Sequence, residues 1–269
     1  MRCSVEGRDV YAYTGTRKPV AAQPTIVFVH GAANDHSVWA LQSRYFAYHG
    51  YNVLAVDLPG HGRSAGPPLP SVEALAAWLA ALLTATGVER ATLVGHSLGA
   101  LAVLEAAAVL PARVERIALL GPAVPMAVAD VLLDAARDDE PLAYALINGW
   151  SYSAAAQLGA SPSPGMSLTG TGLRLMERTV RGVLAVDLAA CRCYGNGIPA
   201  ASAYRGPALV LLGARDQMAP PKGAQALIAA LAAPRVVQLP GTGHALMAEQ
   251  PDAVLDALIA FAGPSSLLP

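Results

Sequence analysis

LVGHSLGALAVLEAA, Leu93 to Ala107, begins on a β-rich apolar run, passes through a serine with glycine two positions before and two after, and continues in small and aliphatic residues. Read together, these are a buried strand, a tight turn and a helix that opens at once, and Ser97 sits at the turn. The five-residue pattern alone is weak. With this chain's glycine and serine content, a GxSxG match arises by chance about one time in ten, and GRSAG at Gly62 to Gly66 matches it as well. The surroundings separate the two. Gly99, Ala100 and Ala102 let a helix close against the strand that precedes Ser97. Ser64 stands several residues beyond its strand and is followed by Gly66-Pro67-Pro68, which cannot open a regular helix. Ser97 is therefore read as a nucleophile and Ser64 as loop structure.

Working outward, further β-rich runs occur at Thr25 to His30, Asn52 to Asp57, Arg116 to Leu120, Ala208 to Leu212 and Arg235 to Leu239. They are nearly continuous in apolar residues, as expected of parallel strands covered on both faces. Helical candidates lie between them, at Asp35 to Tyr48, Ser71 to Thr86, Leu98 to Leu110, Pro221 to Leu231 and Pro251 to Ala262, with Asp35 as a cap. Such alternation predicts an α/β fold with a mostly parallel central sheet and helices on both faces. Ser4 to Thr14 reads as an initial antiparallel hairpin. The alternation breaks after Gly121-Pro122. From Val124 to Arg205 the pattern is helical, interrupted by the Ser-, Pro- and Gly-rich stretch from Ser161 to Gly172. The expected organisation is a core of residues 1–123 and 206–269 with a helical lid of residues 124–205 inserted into it.

Of the 269 residues 54% are hydrophobic and 14% charged, enough apolar material for a large core. A net charge of −1 with scattered basic residues gives no footprint for nucleic acid or an anionic membrane. Cys3, Cys191 and Cys193 are too few for a disulfide framework or a zinc site and fit a reducing compartment. No signal peptide or membrane span is legible, so a cytoplasmic protein, monomeric or homodimeric, is expected.

A serine hydroxyl needs a base to take its proton and an acid to orient that base. Among six histidines, His244 alone lies in a glycine-rich loop, Gly241-Thr-Gly-His244, between the last strand and the last helix. Asp216, just beyond the preceding strand, is the candidate acid. His96, next to the serine, is read as turn support, and His30, His61 and Asp57 as scaffold hydrogen-bonders. No carboxylate occurs in Leu120 to Met126, the alternative place for the acid.

His30-Gly31, Asp57-Leu-Pro-Gly-His-Gly-Arg-Ser64, Gly95-His-Ser-Leu-Gly99, Gly213-Ala-Arg-Asp216 and Gly241-Thr-Gly-His244 occur in that order. The chain thereby resembles the α/β-hydrolase-fold enzymes, whose triad order is Ser, Asp, His. The resemblance implies a cap domain after the sixth strand and makes DLPGHGRS a structural loop. It also implies an oxyanion hole from the backbone N–H groups of Ala32 and Leu98. By this reading the protein is a serine carboxylesterase acting on a small or medium-sized uncharged ester, without metal or cofactor. Carbon–carbon hydrolases and perhydrolases or haloperoxidases of the same fold are alternatives, as is a non-catalytic ligand-binding receptor. Pro141 to Leu173 carries no charged residue, and Trp150, Tyr152 and Met166 are read as an apolar wall for the substrate. Arg174, Arg178 and Arg181, at helical spacing, read as a solvated face.

Overall fold

The computed structural model describes residues 1–263. Eight strands form one sheet in the order β1-β2-β4-β3-β5-β6-β7-β8. They are β1 (Arg2–Val5), β2 (Arg8–Tyr13), β3 (Thr25–Val29), β4 (Asn52–Val56), β5 (Ala91–His96), β6 (Val114–Leu120), β7 (Ala208–Gly213) and β8 (Arg235–Leu239). β1 and β2 form an antiparallel hairpin that pairs antiparallel with β4, and all other pairings are parallel. The hairpin begins two residues earlier than its sequence suggests. Its turn is Glu6-Gly7, both at positive φ, the conformation that matches the twist of a two-residue hairpin.

β3, β5 and β7 are buried at every position, and their side chains alternate between two cores. Ile26 and Phe28 point into one with Trp39, Phe46, Val254 and Leu258. Val27 and Val29 point into the other with Leu79, Leu101 and Leu227. The first core is closed by α1 (Ala40–Tyr48), the second by α2 (Val72–Ala85) and α3 (Leu98–Val109). Covering both faces explains why these strands read as continuous apolar runs. Two expected helices have 3₁₀ first turns, His36–Trp39 and Pro221–Ala224. Asp35 caps the first, its Oδ1 accepting the Ser37 N–H at 2.8 Å.

Between β6 and β7 come six helices and, among the described residues, no strand: α4 (Asp130–Asp138), α5 (Glu140–Ser151), α6 (Ala154–Gln157), α7 (Leu168–Met176), α8 (Val183–Cys193) and α9 (Gly197–Ala203). α10 (Gln225–Ala230), α11 (Leu246–Glu249) and α12 (Pro251–Ala262) follow. α7 runs through glycines of the stretch from Ser161 to Gly172 that interrupts the helical pattern in the sequence. Ser167 caps it, accepting the Gly170 N–H at 3.0 Å, and a Cβ on Gly172 would fall 2.3 Å from the Tyr152 hydroxyl, so the glycine admits that ring. α4, α5 and the start of α8 build a core of their own around Leu132, Tyr144 and Leu184. α9 and Tyr204 join the sheet-side core on α3 instead. Glu105 on α3 reinforces this, accepting from the Tyr194 hydroxyl at 2.7 Å and the Asn196 amide at 2.8 Å. The end of the stretch 124–205 is thus packed with the sheet.

Candidate active site

Ser97 joins β5 to α3 with φ 53° and ψ −118°, a left-handed backbone that a non-glycine residue holds only under constraint. The constraint is packing. A Cβ on Gly95 would lie 2.2 Å from the Gly99 carbonyl oxygen, and one on Gly99 2.4 Å from that of Val29. Glycine at both positions lets strand, turn and helix approach this closely. The turn is pinned further by the Ser97 N–H, which donates to Leu120 on β6 at 2.9 Å.

His244 follows β8 and Asp216 follows β7, and the parallel sheet brings both loops to the edge where Ser97 stands. His244 Nδ1 lies 2.7 Å from Asp216 Oδ2, and both residues are buried. Asp216 Oδ1 accepts the Ala219 N–H at 2.8 Å. The carboxylate therefore fixes the ring tautomer, with the proton on Nδ1 and Nε2 left as acceptor. Gly121 makes room for the pair, because a Cβ there would stand 3.1 Å from the imidazole. No hydrogen bond joins Ser97 Oγ to His244 among the described residues. Both line one cavity of about 1020 Å³.

His96 supports the His244 loop from below. Its Nε2 is 2.9 Å from the His244 carbonyl oxygen and its ring centroid 4.7 Å from that of His244. Burial first, then the neighbouring His244, pushes its pKa down to about 3, so the ring is neutral and donates from Nε2. Two contacts that the sequence does not signal hold the same loop. Glu249 accepts the N–H groups of Gly243 at 2.9 Å and Ser153 at 3.1 Å, and Ala245 donates to the Ser151 carbonyl at 3.0 Å.

The backbone N–H of Leu98, at the first position of α3, and that of Ala32, in the loop after β3, have no acceptor among the described residues. The neighbouring N–H groups in the Ala32 loop are occupied: Ala33 donates to Asp187 at 3.0 Å and Asn34 to the Gly31 carbonyl at 3.3 Å.

Trp150, Tyr152 and Met166 all lie along the cavity, with Leu132, Leu188 and Met218. Among the described residues no carboxylate lines it. Arg174 and Arg178 reach its rim but are paired, with Glu177 and Asp35 respectively, and remain mostly exposed.

Ser64 lies away from this cavity. Its hydroxyl donates to the Asp57 carbonyl at 2.7 Å and accepts the Tyr11 N–H at 3.0 Å, fastening the DLPGHGRS loop to β2. Asp35, His36 and Asp57 bring potential metal-ligating atoms within 4.8 Å of one another. Those atoms are already used. Asp57 accepts from the His36 and Arg63 N–H groups at 2.7 and 2.8 Å and from the His36 ring at 2.7 Å, so the cluster braces its own loops.

Residues 26–257 match the sequence model of the alpha/beta hydrolase family. The chain belongs to that family. It is similar over 97% of its length to the enol-lactonase of Burkholderia xenovorans, covering 99% of that chain with 25% identity and a TM-score of 0.86. An esterase from Exiguobacterium antarcticum shares the fold, with a TM-score of 0.83, 17% identity and coverage of 97% and 98% of the two chains. Among curated sequences, the dihydrolipoyllysine-residue acetyltransferase component of the acetoin cleaving system of Cupriavidus necator is 37% identical over 100 residues, 36% of this chain and 26% of that protein. Human protein ABHD8 is 34% identical over 85 residues, 30% of this chain and 19% of that protein. The chain thus matches only about a fifth to a quarter of the length of these two relatives. No helix among the described residues is long and apolar enough to cross a membrane.

Proposed function

We propose that the protein is a serine hydrolase cleaving uncharged carboxylic esters, lactones included, whose bodies are largely apolar. The observation that carries this reading is the strained Ser97 sharing a cavity with a histidine whose far nitrogen is held by a buried carboxylate. In the reaction Ser97 Oγ attacks the ester carbonyl carbon while His244 Nε2 takes the hydroxyl proton. The N–H groups of Ala32 and Leu98 receive the developing oxyanion, each worth about 10²–10³-fold in rate, helped by the positive end of α3. The intermediate collapses to an acyl-serine as His244 returns the proton to the leaving alkoxide. A water then repeats the cycle and releases the acid. Asp216 keeps the ring oriented and stabilises its charged form.

The helical insertion acts as a lid, with Trp150, Tyr152 and Met166 along the acyl or alcohol site. The absence of carboxylates from the lining among the described residues and the pairing of both rim arginines favour an uncharged substrate. The likeness to an enol-lactonase supports cyclic esters within the same chemistry. The test is a panel of p-nitrophenyl esters of increasing chain length and simple lactones, run on wild type and Ser97→Ala. Turnover abolished by the substitution is the expected result. Negligible turnover of the whole panel by a wild type whose Ser97 still reacts with a fluorophosphonate overturns it in favour of a ligand-binding role.

A further inference from the structure

The helical insertion grips the Ala32 loop at a single residue, through the peptide units on either side of its Cα. Ala33 is fully buried and has φ 50°, a left-handed conformation unfavourable for alanine unless its surroundings enforce it. Both of its backbone polar groups are held by the insertion. The N–H donates to Asp187 Oδ2 on α8 at 3.0 Å, and the carbonyl accepts from the Thr179 hydroxyl, between α7 and α8, at 3.0 Å.

Asp187 is itself made rigid. Its Oδ2 lies 2.8 Å from His61 Nε2, and both residues are 2% exposed. His61 Nδ1 lies 3.0 Å from the Pro59 carbonyl oxygen. Both ring nitrogens face oxygen acceptors, which only the doubly protonated ring satisfies. Burial is the largest single influence and opposes that charge, but the Asp187 carboxylate, the Pro59 carbonyl and Asp57 together outweigh it, and the pKa of His61 is raised. His30, 4.9 Å away between centroids, is kept neutral by burial and then by His61, its pKa lowered to about 4. Its Nε2 accepts the Leu58 N–H at 3.0 Å and its Nδ1 donates to the Gly31 carbonyl at 2.8 Å, so the same network reaches the residue before Ala32.

We propose that Asp187 and Thr179 are positioning residues for the oxyanion hole: from the insertion they clamp Ala33 in its left-handed conformation and so aim the Ala32 N–H into the cavity. The proposal rests on the serine-hydrolase reading above. It makes the insertion part of the catalytic geometry as well as a wall for substrate, because a loop freed to relax to negative φ would rotate the Ala32 N–H away from the oxyanion.

The experiment compares wild type, Asp187→Asn, Thr179→Val and Ser97→Ala on one p-nitrophenyl ester that wild type turns over. A trifluoromethyl ketone, which forms a tetrahedral adduct with the serine, and the product alcohol serve as inhibitors. Expected is a fall in kcat of about tenfold or more in Asp187→Asn and a smaller fall in Thr179→Val, with KM within about twofold. The ketone loses affinity by the same factor as kcat/KM, while the alcohol binds as before. A merely structural role would move KM and both inhibitors together, and that result overturns the clamp. Unchanged kcat in both variants, with Ser97→Ala inactive, also overturns the clamp and leaves the hydrolase reading standing. Retained turnover in Ser97→Ala overturns the reading and the clamp with it. If Asp187→Asn does not fold, Thr179→Val alone carries the test: the same split of kcat from KM supports the clamp, and wild-type kcat overturns it.

Discussion

Gly62 to Gly66 and Gly95 to Gly99 carry the same five-residue pattern, and the molecule uses them in opposite ways. In the first, both glycines are at positive φ, 51° and 96°, and they let the chain turn tightly around Asp57 and Arg8. The serine between them spends its hydroxyl on two backbone partners. In the second, the glycines have ordinary φ and are needed only for close backbone approach, while the serine itself takes the left-handed conformation. Its hydroxyl has no hydrogen-bond partner among the described residues. Strain moved from glycine onto serine separates the fastened hydroxyl of Ser64 from the unpartnered one of Ser97. A sequence pattern that fixes residue types and spacing is blind to it.

The contrast can be broken most severely at the two serines. Ser97→Ala should lower kcat/KM by at least ~10³-fold with little change in melting temperature, as expected for removal of a nucleophile. Activity that survives this and disappears in Ser64→Ala would reverse the roles of the two segments. At the glycines, Gly99→Ala forces a methyl to 2.4 Å from the Val29 carbonyl. It should cost about 3 kcal/mol or more, visible as loss of soluble protein or a large drop in Tm. A variant as stable as wild type would show that the elbow is not packed as tightly as described.

Histidines of the two loop systems sharpen the comparison through pH. His96 beside the elbow and His30 beside the Ala32 loop are neutral when folded, their pKa values lowered to about 3 and about 4. Below the ordinary value of 6.5 the unfolded chain therefore binds protons that the folded one refuses, and stability falls as pH drops. Each ring contributes about 1.4 kcal/mol per pH unit until its folded value is reached. His61 behaves oppositely. Its raised pKa gives a contribution that is complete below 6.5 and lost as pH climbs through the folded value. Melting curves from pH 6.5 to 5 should show a clear fall in Tm, and a flat profile would mean that His30 and His96 are not held neutral. The smallest effect belongs to Ser64→Ala, which should leave kcat and KM unchanged and cost about 1–3 kcal/mol in denaturant unfolding, since the Tyr11 N–H loses its acceptor.

Much of the fold is legible in the sequence because both of its main signals are local. Val27, Phe28 and Val29 read as a buried strand without knowledge of their partners, and the Ser97 turn is announced by residues within two positions. Ser167 and Gly172 show the limit. A glycine-rich run that reads as a break in the helical pattern becomes the first turns of α7, because a cap and the Tyr152 ring reward helix there. For the site, Ser97, His244 and Asp216 stand out by their loops, whereas Asp187, Thr179 and Glu249 do not. Each has a partner far off in the chain, 154, 146 and 96 residues away, and nothing near them in sequence distinguishes a carboxylate or hydroxyl that meets a distant backbone group from one that faces water.

The sequence by itself determined the alternating elements, the serine elbow and the order of the three polar loops, since strand, turn and helix preferences act over a few residues. Only the tertiary structure decided that the loops converge on one cavity, that Ser64 is spent on Asp57 and Tyr11, and that a helical insertion grips the backbone of Ala33 on both sides. Those outcomes depend on which groups distant in sequence are brought within hydrogen-bond reach on folding, where leaving a buried polar group unpaired is costly.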